Sequence, residues 1–228
     1  ALLPDAEKLE HRFRAFVHSR EFRHAEFDFL KDSRRDKPNL LYSVRNMVKR
    51  GIFYSFSMTR ASFISEENFI HNIYLLVDDV AIGETMVPFF PVAVDLETGM
   101  EVILDAGSLR RSVCASSAIP GLLPPVKLGG RVLIDGGCVS KVPVLAAFRQ
   151  GADMVIAVDV SPELEDTREL KKGFDVIVRA NSIKAEALKN FQCRLADVLI
   201  KPKVGQVHWA DFSGALALIE EGDRAGTL

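Results

Sequence analysis

The chain of 228 residues has little cysteine, little charge of one sign and no long apolar run, and each shortage removes a class of protein. The three cysteines, Cys114, Cys138 and Cys193, are odd in number and widely spaced. That argues against a disulfide framework and a zinc site, and fits a reducing compartment. Lys and Arg number 29 against 31 Asp and Glu, a net charge of −2. No concentrated basic face is indicated, so nucleic acid is not an expected partner. No apolar run approaches the roughly 18 residues needed to span a bilayer. The opening Ala1-Leu2-Leu3-Pro4 runs straight into charged residues, so no secretory leader is expected and a cytoplasmic location is. Neither G-x-G-x-x-G nor G-x-x-x-x-G-K-[ST] occurs, which removes a nucleotide-binding α/β domain as a serious reading. What is present is the material of an ordinary globular domain: 48% apolar and 26% charged residues, enough for a well-filled core.

Two sections differ in texture. Residues 1–70 are rich in charge and Phe and carry no strong strand signal. Leu9, Phe13, Phe16 and Val17 recur at helical spacing, as do Phe22, Phe29 and Leu30, predicting helices separated by loops near Pro38-Asn39 and Gly51. Residues 85–228 change to short apolar runs punctuated by turn residues. Phe89 to Leu96 reads as a strand, Glu97-Thr98-Gly99 as a turn, and Glu101 to Leu104 as the returning strand. Ser108 is a candidate N-cap for a helix that stops at Ile119-Pro120-Gly121. Gly129-Gly130 joins two more short strands, Val126–Leu128 and Arg131–Ile134. Pro143 opens a helix that ends near Gly151. Met154 to Val158 is a continuous apolar run that suits a strand buried on both faces of a parallel sheet. Lys171 to Arg194 reads as a long helix, Val198 to Ile200 as a strand, and Phe212 to Ile219 as a last helix capped by Asp211. Strands alternating with helices predict a single α/β layered domain over residues 1–228, the first 70 residues mainly helical.

The stretch that carries chemistry is Ile134-Asp135-Gly136-Gly137. An apolar strand runs into a carboxylate followed by two glycines. Strand ends of open α/β sheets are where ligands and catalytic groups gather, and glycine lets the chain turn sharply against a ligand. On this fragment alone an Asx-type turn is the stronger reading, because Asp-Gly is a common turn pair.

The wider context reverses that. Pro88-Phe89-Phe90-Pro91-Val92-Ala93-Val94-Asp95-Leu96-Glu97-Thr98-Gly99 is followed by Ala115-Ser116-Ser117-Ala118-Ile119-Pro120-Gly121 and Pro124-Pro125-Val126. Then come Asp135-Gly136-Gly137, Val142-Pro143 and Gly151-Ala152-Asp153-Met154-Val155-Ile156-Ala157-Val158-Asp159. In order and spacing this series resembles the bacterial patatin-like phospholipase family, closely over residues 85–160 and more loosely around them. The resemblance implies a layered α/β fold with a central, mostly parallel sheet flanked by helices. It also implies a lipid acyl hydrolase working with a Ser–Asp dyad. Asp135 falls on the dyad aspartate and Gly136 and Gly137 on the motif glycines, so the implied role of Asp135 is general base.

The family's other two elements are a Gly-rich oxyanion loop and a G-x-S-x-G nucleophile elbow. Neither occurs here: no serine has glycine both two residues before and two residues after it, and no three glycines run together. Both elements lie upstream in the family, so the resemblance implies a missing N-terminal segment of roughly 50 to 80 residues, one βαβ unit with the elbow. Its strands would be absent from the sheet, leaving edges and apolar faces for a homo-oligomer or another chain to cover.

Other residues weigh less. Ser116 and Ser117 lack an elbow and read as structural serines before a helix stop. Cys138 reads as a small buried filler. His11, His18, His24, His71 and His208 are scattered without ligand spacing, so no metal is expected, nor calcium, nor any cofactor. Asp95 and Asp159 read as turn or cap residues. Phe53, Tyr54, Phe56, Phe63 and Phe69 fit core packing, with an acyl-chain entrance or a peripheral membrane contact as the sharper alternative. Two functions stand: an acyl hydrolase acting on a lipid or ester, to which this chain brings Asp135 but no nucleophile, and a non-catalytic remnant or subunit that binds lipid or serves as a scaffold.

Overall fold

Pro88 and Pro91 decide where the first strand begins. Proline cannot donate to a ladder, so pairing starts after it. In the computed structural model, which describes residues 6–19, 62, 64–164, 170, 172–205, 207 and 214–227, β1 is Val92–Asp95 rather than the longer run read from sequence. Phe89 and Leu96 are left exposed on either side of it.

The chain packs as two compact units, residues 1–135 and 136–228. In the first, β1 pairs antiparallel with β2 (Glu101–Ile103) and with β4 (Arg131–Asp135), and β4 pairs antiparallel with β3 (Val126–Leu128). The order is β2-β1-β4-β3, with β1 buried along its whole length. Both hairpins follow from their turns. Asp95 accepts from Glu97 N (3.1 Å) through one oxygen and from Thr98 Oγ1 (2.9 Å) through the other, and Gly99 takes φ 71°. Gly129 and Gly130 take φ 59° and 75°, the two left-handed residues that a two-residue hairpin turn demands.

Two helices complete this unit's core. α2 (Glu66–Leu76) is capped by Ser65, and α3 (Leu109–Ser116) by Ser108, whose side chain accepts from Arg111 N as its sequence position predicts. Ala93, Val102, Val126 and Leu133 of the sheet pack with Phe69 and with Cys114, Ala115 and Ala118 of the α3 segment. Phe69 is therefore core. Arg110 locks α3 to α2: its guanidinium lies 4.7 Å from the Tyr74 ring centroid and donates to Val77 O (2.8 Å) and Tyr74 O (3.3 Å). α1 (Ala6–His18) is tied on by Arg12, which pairs with Asp78 at 2.9 Å. The loops expected near Pro38 and Gly51, the Phe22 to Leu30 stripe and Phe53, Tyr54, Phe56 and Phe63 lie outside the described residues.

The second unit holds α4 (Val144–Arg149), β5 (Ile156–Val158), α5 (Gly173–Cys193), β6 (Val198–Ile200) and α6 (Ala215–Gly226). β5 and β6 pair in parallel, joined by the long helix α5. Asp197 closes the start of the pair, accepting from Val155 N at 2.8 Å. Val142, Val144, Val155, Ala157 and Cys193 form the core here. Asp211 and Phe212, expected at the start of the last helix, fall outside the described residues.

The α/β class is as expected, with two corrections within it. Among the described residues the four-stranded sheet is antiparallel and only β5–β6 is parallel. Short turns force this on the two hairpins, since parallel neighbours need a crossover of a dozen or more residues. β5 is also not buried on both faces: Ala157 is buried, but Ile156 is 55% and Val158 48% exposed. An apolar run reports what a strand could bury, not what covers it. No helix among the described residues is long and apolar enough to cross a membrane.

Candidate active site

Asp135 is the last residue of β4, opposite Ala93 of the buried β1. Its N–H donates to Ala118 O at 3.0 Å. That carbonyl belongs to the turn after α3, where Ser117 caps the helix and Gly121 takes φ 76°. The Ser116–Gly121 stretch thus supports the backbone of Asp135. Asp135 is itself half-buried. Two backbone attachments thus hold Asp135 at the end of an inner strand of the sheet.

The chain then turns at once. Gly136–Cys138 is a single 3-10 turn, with Gly136 buried. Gly136 O accepts from Val139 N (3.1 Å) and Ser140 N (2.8 Å), closing the turn on itself. Val139 O accepts from Gln192 Nε2 of α5 at 3.0 Å. Ser140 Oγ and Gln192 Oε1 are buried without a hydrogen-bond partner.

The weaker candidates fall into structural roles. Ser116 Oγ donates to Val92 O at 2.8 Å, tying α3 to β1. Asp95 is buried and spends both oxygens on its hairpin turn. Asp159 does more than cap a strand. It ends β5 in a buried ion pair, its Oδ2 2.9 Å from Lys189 Nζ, and Lys189 also reaches Glu186 Oε1 at 3.0 Å. Burial alone would push the Asp159 carboxyl up, but hydrogen bonds from Lys189 and Ser161 outweigh it and hold it below 3.8. For Lys189, burial would lower the ammonium, and the two carboxylates more than compensate, holding it above 10.5.

Cys138 is exposed rather than a buried filler, because the turn faces it outward. Cys114 and Cys193 are the buried thiols. Burial pushes Cys114 up to about 11, and burial with the nearby Asp159 charge raises Cys193. His18 is engaged with Arg14 O within α1 at 2.7 Å. Among the described residues no three His, Cys, Asp or Glu side chains group to hold a metal.

The sequence singles out Asp135, Gly136 and Gly137, and gives no sign that Gln192, Lys189 and Ser140 are buried polar residues. Gln192 and Lys189 lie inside a long helical pattern where polar residues ordinarily face solvent. Nothing in their local spacing announces a buried partner 53 or 30 residues away.

The strand-end aspartate and its glycine turn lie in a mixed α/β scaffold, within the range that a family model matches. The model of the patatin-like phospholipase family covers residues 2–148, and the chain belongs to that family. Relatives of known name agree. An uncharacterized NTE family protein of Mycobacterium tuberculosis is 33% identical over 105 residues, 46% of this chain and 29% of that protein. Lysophospholipase NTE1 of Candida glabrata is 30% identical over 118 residues, 52% of this chain and 7% of its own length. Neuropathy target esterase sws of Drosophila melanogaster is 28% identical over 163 residues, 66% of this chain and 11% of its own length. The chain therefore spans under a third of the length of each of these three relatives.

Proposed function

We propose that this chain is the aspartate-bearing part of a lipid acyl hydrolase that uses a Ser–Asp dyad. The observation that carries the reading is Asp135, placed at a strand end and followed at once by the Gly136-Gly137 turn, within a segment matched by the patatin-like model. Asp135 acts as general base. It takes the proton of a serine hydroxyl as the serine oxygen attacks the ester carbonyl, then passes it to the departing alcohol or lysolipid. Water, activated the same way, releases the fatty acid and regenerates the serine. The serine comes from outside these 228 residues, because no serine here has the flanking glycines that a nucleophile elbow requires.

Relatives named as a lysophospholipase and an esterase support an acyl ester of a lipid as the substrate class. Such a substrate calls for a peripheral contact with a lipid surface, and the absence of disulfides among the cysteines favours a cytoplasmic site. The two compact units are read as parts of one domain, since the family match runs across their boundary to residue 148. The competing reading is a lipid-binding module without turnover, and the lack of a G-x-S-x-G serine is what favours it. Hydrolysis of a p-nitrophenyl ester and a fluorogenic phospholipid, by the 228-residue chain and by a longer one carrying the upstream segment, separates the two. Turnover by the longer chain alone supports the dyad. Lipid binding without turnover in both supports the module.

A further inference from the structure

A surface helix ordinarily buries an apolar side and turns a polar one to water. α5 does not. Its inner side carries Lys189, Gln192 and Cys193, all buried. At about 3.6 residues per turn, its outer side carries Ile177, Leu188 and Phe191, flanked by Val176 and Ile183. All five are exposed, Ile177 to 60% and Phe191 to 61%. The charges on that side are of one sign. Lys184 lies among the apolar residues and Arg194, the C-cap, at their end, both exposed. The helix's carboxylates lie on the inner side instead. Asp175 accepts from Lys172 N at 3.0 Å, and Glu186 lies 3.0 Å from the buried Lys189 Nζ.

Resting on the lipid-hydrolase reading above, we propose that this outer face of α5 docks the protein on an anionic lipid surface. An apolar stripe accompanied by cations and free of carboxylates suits a helix lying in the plane of a membrane interface. Its apolar side chains enter the acyl boundary and its cations meet the headgroups. α5 is not apolar enough to cross the bilayer, so it lies on it. The charges decide the occupant. Acidic headgroups answer Lys184 and Arg194, whereas a second copy of the same face brings the same cations and no carboxylate. A lipid as the substrate class favours a lipid surface over an acidic protein. Each cation near an anionic surface strengthens binding about fivefold, an effect that salt weakens.

The test uses the full-length protein containing these residues and its serine. Binding is measured by co-sedimentation with vesicles of phosphatidylcholine alone and of phosphatidylcholine mixed with phosphatidylserine. Wild type should prefer the mixed vesicles. The double variant Ile177→Gln, Phe191→Gln should stay folded by circular dichroism, since both side chains are exposed and glutamine suits a helix. It should bind both vesicles about 10-fold or more weakly. Lys184→Glu should bind the mixed vesicles about 10-fold more weakly and phosphatidylcholine as wild type does. Hydrolysis of vesicle phospholipid should fall with binding, while kcat on a soluble p-nitrophenyl ester stays at the wild-type value. Wild-type binding in the folded variants, or a double variant that fails to fold, would overturn the proposal. So would a wild-type dimer that the double variant splits into monomers, because a second copy then covers the face. Asp135→Asn is measured beside them and should bind vesicles normally without turnover. Vesicle binding indifferent to the α5 substitutions sinks this inference alone, whereas full turnover in Asp135→Asn sinks the functional reading beneath it.

Discussion

At the scale of single residues, the buried charges matter most. Lys189, Asp159 and Glu186 form an ion cluster whose lysine has almost no contact with water. Pairing offsets the cost of desolvation only while every member is present. Lys189→Met should therefore destabilise the fold by about 3–5 kcal/mol in urea unfolding, because two carboxylates lose their cation. The same cluster gives a pH signature. Asp159 is depressed, so its contribution is full above 3.8 and drains away as pH falls through its folded value. Lys189 is raised, so its contribution is full below 10.5 and is lost as pH climbs beyond. The urea midpoint should fall at both extremes, and in Lys189→Met the part of the fall that belongs to this pair should vanish. The thiols differ by the same logic. Cys138 should react rapidly with a disulfide reagent in the native protein, and Cys114, buried and pushed up to about 11, only on unfolding. Equal rates for the two would contradict their placement.

At the scale of elements, local chemistry was legible and partnership was not. The Ser108 cap, the Glu97-Thr98-Gly99 turn and the Gly129-Gly130 hairpin all stood in the sequence, since each depends on residues within a few positions of one another. The Gly-Gly turn can be tested directly. Gly130 has φ 75° with nothing within 4 Å of where a Cβ would sit, so any cost of substitution is backbone strain. Gly130→Val should lower stability by about 1–2 kcal/mol, and Gly129→Asn by much less, because asparagine tolerates the left-handed region. Equal costs would mean that the hairpin turn is not of this type. β1 begins three residues after the start of its apolar run at Phe89, because Pro88 and Pro91 lack the donors that a ladder needs. How β5 is covered is not legible for a different reason. The run from Met154 to Val158 contains no statement of what lies against it, and one of its two faces is exposed. Ser116 belongs to this scale as well: it is a tie from α3 to β1, so Ser116→Ala should cost about 1 kcal/mol of stability and leave turnover of the longer protein intact.

At the scale of the whole molecule, the chain belongs to the patatin-like phospholipase family. Its two units each carry a core of their own, and the chain covers 29% of the mycobacterial relative and less of the others. The candidate site was legible as far as its aspartate, because a strand end, a carboxylate and two glycines are consecutive in sequence. The hold on its backbone was not, because Ala118 O accepts the Asp135 N–H from 17 residues away. Such contacts exist only once the chain has folded.

The central claim is that Asp135 is the base of an acyl hydrolase. It is tested most directly by replacing Asp135 with Asn in the full-length protein and following hydrolysis of a fluorogenic phospholipid. Asparagine keeps the shape and the backbone attachments but cannot accept the serine's proton at neutral pH. A folded Asp135→Asn protein with turnover reduced by about 100-fold or more is the predicted result. A folded variant that hydrolyses the lipid at the wild-type rate would contradict the account.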